Sequence, residues 1–145
     1  MRTGQLDVKI LLNVREGFEQ WEPRLKASFP IAAELLREDL FPLLTLPAPV
    51  LERERYSFES FMDIVERSDD LSAIEVIKKR QAFLVAECIT EFAEVEIAGR
   101  KLHTAAIESI DIGALKEARR LTGLDAHDNI NYPTVIKQTI GWILP

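Results

Sequence analysis

Gln5-Leu6-Asp7-Val8-Lys9-Ile10 alternates polar and apolar residues, and this period of two predicts a strand from Gln5 to Val14. Leu6, Val8 and Ile10 share one face; Gln5, Asp7, Lys9 and Leu11 share the other. Asn13 to Gly17 breaks the run. Phe18, Trp21 and Leu25 then recur at helical spacing. Pro23 lacks an N–H and crowds the preceding turn, so the pattern predicts a short or kinked helix up to Ser28. Pro30 opens a second helix with Ile31, Leu35 and Leu36 turned inward. From Phe41 to Pro49 three prolines exclude a regular helix. The segment is apolar, which predicts a loop packed against the fold; a partner-binding arm is the alternative.

Val50 to Tyr56 alternates acid and base, and as a strand it separates Glu52 and Glu54 from Arg53 and Arg55. Ser57 is an N-cap for a helix over Phe58 to Arg67, with Phe58, Phe61, Met62 and Val65 as its buried stripe. Leu71 to Ile89 is rich in β-branched residues, which favours a strand from about Ile74 to Cys88 over a helix. Thr90 to Ile97 alternates again, Ala98-Gly99-Arg100 is a turn, and Leu102 to Ser109 returns as a strand. Asp111 or Ser109 caps a helix from Ile112 to Thr122, with Gly123 as its stop; Asn131 caps a last helix. The order β-α-α-β-α-β-β-β-α-α is that of an α+β fold with a mainly antiparallel sheet flanked by helices.

The chain has 145 residues, 47% hydrophobic and 29% charged, which predicts a single domain over 1–145. A net charge of −6 argues against nucleic-acid and membrane-surface binding, both of which draw on excess Lys and Arg. Apolar runs fall short of the roughly 20 residues of a membrane span. The lone Cys88 lies in an apolar run and reads as a small core residue; one free thiol and no leader predict a cytoplasmic protein. Met1 and Leu144-Pro145 read as the ends of a complete short chain.

Phosphate-loop, dinucleotide, zincin and serine-hydrolase motifs are absent. Cys88 and His103 both lie near the predicted hairpin, so a Cys–His pair is conceivable; Cys and His are too few for a zinc site, which would need carboxylates. What remains is charge at a spacing of two: Glu52/Glu54 and Glu94/Glu96, Arg53/Arg55 and Lys78/Arg80. Two carboxylates on one strand face can hold Mg²⁺ or Mn²⁺, and two cations can grip phosphate oxygens. If both line one cavity, a metal–triphosphate complex fits there. The alternative is a solvated sheet face with weak cross-strand ion pairs.

Lys78-Lys79-Arg80, then Phe92-Ala93-Glu94-Val95-Glu96, then Thr122-Gly123-Leu124 and Asn131-Tyr132-Pro133, resemble the C-terminal half of the CYTH family. That family includes class IV adenylate cyclases and thiamine or inorganic triphosphatases. At the other end, Gln5-Leu6-Asp7-Val8-Lys9 is similar to its E-x-E-x-K strand, with Gln5 in place of one acid and Asp7 in place of the other. Leu51, Arg53 and Arg55 are similar to its L-x-R-x-R strand, although the same segment also fits its later acidic strand. The resemblance implies an eight-stranded antiparallel tunnel. In it Glu94, Glu96 and Asp7 hold Mg²⁺ or Mn²⁺, and Lys9, Arg53, Arg55, Lys78 and Arg80 hold phosphates, the implied chemistry being metal-assisted attack on a triphosphate. Five or six strands are predicted here, so a middle hairpin is missing. The tunnel is then open, completed by a second chain, or without catalysis.

Three functions follow as expectations. The first is a CYTH-like protein that binds, and in the fuller form hydrolyses, a phosphorylated small molecule. The second is a non-catalytic α+β domain acting through protein contacts or as a homodimer, suggested by Phe41 to Pro49 and by the apolar tail Ile140 to Pro145. The third is a dimeric ferredoxin-like binder, suggested by an opening strand followed by Gly17-Phe18-Glu19-Gln20-Trp21.

Overall fold

The computed structural model describes residues 4–144. Met1–Thr3 and Pro145, on which the reading of the chain's ends rests, lie outside them. The chain divides into two compact units, Met1–Ala73 and Ile74–Pro145.

The first unit opens with β1 (Gln5–Arg15) and β2 (Phe18–Ser28), an antiparallel pair joined through Glu16 and Gly17. Both turn residues have positive φ, 55° and 79°, as a tight two-residue hairpin requires. The expected helix at Phe18–Ser28 is therefore a strand. Its helical spacing arose from mixing two faces: Trp21 stands opposite Leu11, whereas Leu25 stands opposite Val8. Pro23 is tolerated because the register shifts beside it, between Val8 and Lys9.

A short pair, β3 (Ile31–Ala32) with β4 (Arg55–Tyr56), brackets a helical stretch, α1, over 33–43. Its middle, Leu36–Leu40, is a π turn in which the Phe41 N–H reaches the Leu36 carbonyl. This longer loop lets Pro42, which has no N–H to give, sit in the final turn. The helix thus continues to Leu43, past the point where the prolines predicted its end. Thr45 takes φ 56° in the capping position, with Thr45 N–H on the Pro42 carbonyl and Leu46 N–H on the Phe41 carbonyl. Ile31, Leu36, Leu40, Phe41 and Tyr56 form the buried centre, and Leu6, Val8, Leu25, Leu46 and Ala48 pack around it. The Phe41–Pro49 segment is accordingly built into this core, as its apolar character predicts. Ser57 caps α2 (Phe58–Glu66) by accepting the Ser60 N–H at 3.2 Å. Val65 of its stripe is buried, whereas Phe58 is 42% exposed and meets Phe29 edge-on.

The second unit is a meander of β5 (Val76–Val85), β6 (Cys88–Ile97) and β7 (Arg100–Glu108), with β6 in the middle. The order is strand to strand to strand, so the ferredoxin-like alternation is not present. Both hairpins use two-residue turns at positive φ: Ala86 and Glu87 at 47° and 62°, Ala98 and Gly99 at 48° and 78°. Asp111 caps α3 (Ile112–Leu121), accepting from Gly113 and Ala114 N–H at 2.7 and 3.1 Å. Ser109 in turn accepts the Asp111 N–H. Gly123 follows the helix at φ 72°. Asn131 caps α4 (Tyr132–Thr139) through the Thr134 N–H at 2.9 Å. Tyr132, Val135 and Ile136 of α4 pack on Ala93, Val95 and Ile97 of β6.

Among the described residues the strands form three separate antiparallel sheets and no closed barrel. The fold class is α+β, as the pattern predicts. Among the described residues no helix is long and apolar enough to cross a membrane.

Candidate functional site

In an antiparallel ladder, residues directly opposite one another point to the same face, and neighbours along a strand alternate. The unbroken registers of β5 with β6 and of β6 with β7 therefore sort every charged residue of this sheet. Lys78 stands opposite Val95, and Arg80 opposite Ala93; both share the face of Glu91 and Thr104, which α4 covers in part. Glu94 and Glu96 stand opposite Lys79 and Ile77 on one side and His103 and Lys101 on the other. They occupy the opposite face. The basic pair Lys78/Arg80 and the acidic pair Glu94/Glu96 consequently do not meet in one cavity.

On the first face the charges satisfy one another. The Lys78 ammonium and the Arg80 guanidinium both pair with the Glu91 carboxylate, the latter at 3.1 Å. Lys78 also lies 5.1 Å from the centre of the Tyr132 ring, and the Tyr132 hydroxyl is 3.0 Å from Thr104 Oγ1. Glu91 is held below the ordinary carboxylate range, first by the hydrogen bond from Lys78, against the opposing pull of burial, with Arg80 adding to the lowering. Burial acts to lower the Lys78 ammonium, but Glu91 and Tyr132 together outweigh it and hold Lys78 above its ordinary value. These two cations are thus partners of a carboxylate already in place.

The second face is different. Lys79, Glu94 and His103 form one cross-strand row, and Glu96 and Lys101 lie in the next. Such neighbours have Cβ atoms roughly 5 Å apart. No ion pair within 4 Å ties Lys79, Glu94, Glu96 or Lys101 to a described residue, so these charges remain available. The adjoining rows carry Phe92 and Phe83, whose rings meet edge to face at 6.3 Å. Lys79 and Lys101 did not stand out in the sequence as site residues, and His103 did so only as a partner for Cys88. Their signal was register: each lies directly opposite a member of the acidic pair.

The remaining expected residues lie in the first unit. Asp7 and Lys9 are exposed on the face of β1 that points away from its core, opposite Lys26 and Pro23. The expected strand over Val50–Tyr56 is reduced to Arg55–Tyr56, because Arg53 lies in a bend. The face-by-face division of Glu52, Arg53, Glu54 and Arg55 therefore does not arise. Arg55 donates to the Pro30 carbonyl at 2.6 Å. Arg53 gives its backbone N–H to the Tyr56 hydroxyl. An open depression of about 410 Å³ lies here, lined by Arg37 and Arg53 but also by Glu34, Glu52 and Glu54, which outnumber them. An anion finds no net attraction in it.

Cys88 is fully buried. It sits six positions along β6 from Glu94, the residue opposite His103, a separation of roughly 20 Å, so no Cys–His pair forms. Among the described residues no three His, Cys, Asp or Glu side chains gather as a metal-holding group. Comparison with protein-family models, with curated proteins and with solved structures gives no match.

Proposed function

We propose that this chain binds a phosphorylated small molecule together with a divalent cation on the second face of the β5–β7 sheet. One observation carries the reading: carboxylates and cations share adjacent rows of one face without pairing with each other. Glu94 and Glu96 supply oxygen ligands of the kind Mg²⁺ or Mn²⁺ takes. Two carboxylates alone are not a cage for either ion. They fit a cation that draws its other ligands from water and from phosphate oxygens, which is how Mg²⁺ is commonly held. Lys79, Lys101 and His103 then face the phosphate. Lys78 and Arg80, assigned to phosphate by the CYTH resemblance, are engaged by Glu91 and play no direct part. The resemblance itself supports the reading through Glu94 and Glu96, the residues it shares with the acidic strand of that family.

The test is thermal unfolding with Mn²⁺ and tripolyphosphate. At about one hundred times the dissociation constant, binding adds roughly 2.7 kcal/mol to the folded state. The joint substitution Glu94→Gln and Glu96→Gln is expected to abolish the shift, and Arg80→Gln to leave it. No shift at saturating ligand, or an undiminished shift in the double variant, overturns the proposal.

A second reading, association through protein contacts, is favoured by the exposure of Phe83, Leu84, Ile89 and Phe92 in the β5–β6 hairpin. Trp142 and Leu144, 60% and 90% exposed, extend it to the tail.

A further inference from the structure

We draw no further inference here: the strongest candidate, the apolar patch of Phe83, Leu84, Ile89 and Ile110 at the end of the β5–β7 sheet that carries the Ala86-Glu87 turn, has nothing in the structure to show what covers it.

Discussion

Glu91 accepts both Lys78 and Arg80, and its side chain is only 12% exposed. Its carboxyl is lowered in the folded state, so it adds stability that is complete above its ordinary value of 4.5. That stability is lost as the pH falls through the lowered value. Lys78 is raised, so its contribution is complete below its ordinary 10.5 and is lost as the pH rises through the folded value. Glu91→Gln is therefore expected to be about 1 kcal/mol less stable than the parent at pH 7. The gap should narrow as the pH falls below 4.5 and through the lowered value, as read by urea unfolding in a falling pH series. A gap that does not narrow as the carboxyl becomes protonated contradicts the assignment. Lys78 and Arg80 were visible in the sequence as a pair at period two, but Glu91 was not visible as their partner. It lies on β6 opposite Ala82, and only pairing in three dimensions brings it to them.

The hairpins show what an element demands of its turns. Ala98-Gly99 places glycine at φ 78°, where a Cβ would meet nothing within 4 Å. Gly99→Ala is thus expected to cost about 1 kcal/mol from backbone conformation alone. At Ala86-Glu87 the same left-handed conformation is adopted by two residues that disfavour it. The double substitution Ala86→Asn and Glu87→Gly is expected to stabilise the fold by about 1 kcal/mol, read as a rise in melting temperature. An unchanged or lower melting temperature would count against the turn assignment. The helix caps obey the same local logic. Asp111→Ala should remove about 1 kcal/mol and speed amide exchange at Gly113 and Ala114, the two N–H groups it accepts. Caps at Ser57, Asp111 and Asn131 were legible because a cap needs only its own next three residues. The Ala86-Glu87 turn carried no glycine to mark it. The β2 strand was hidden because its bulges break strict alternation.

At the scale of the whole molecule, the acidic total of −6 conceals two different sheet faces. On one, Lys78 and Arg80 share the Glu91 carboxylate; the other holds Lys79, Lys101, Glu94 and Glu96 without ion pairs among them. Mn²⁺ and tripolyphosphate together are expected to raise the melting temperature by more than the sum of either alone, since each completes the other's ligand set. Chelation of the metal should return the protein to its starting value. Additive shifts would place the two ligands at separate sites. The predicted class, α+β with antiparallel sheets, is the observed one. Its strands form separate sheets in place of a closed tunnel, so residues gathered by analogy with a tunnel are divided among faces and units.

Sequence by itself determined the strands β1, β5, β6 and β7, the three helix caps and the apolar stripes. These depend on periodicity and on hydrogen bonds between near neighbours, and both are written in consecutive residues. Tertiary structure alone decided which charges meet. Moving a strand by one residue exchanges its faces, and register is fixed by packing on both sides of the ladder. Lys78 and Arg80 therefore joined Glu91 on the face where Lys78 meets Tyr132 of α4, while Glu94 and Glu96 were left with Lys79, Lys101 and His103 on the other face.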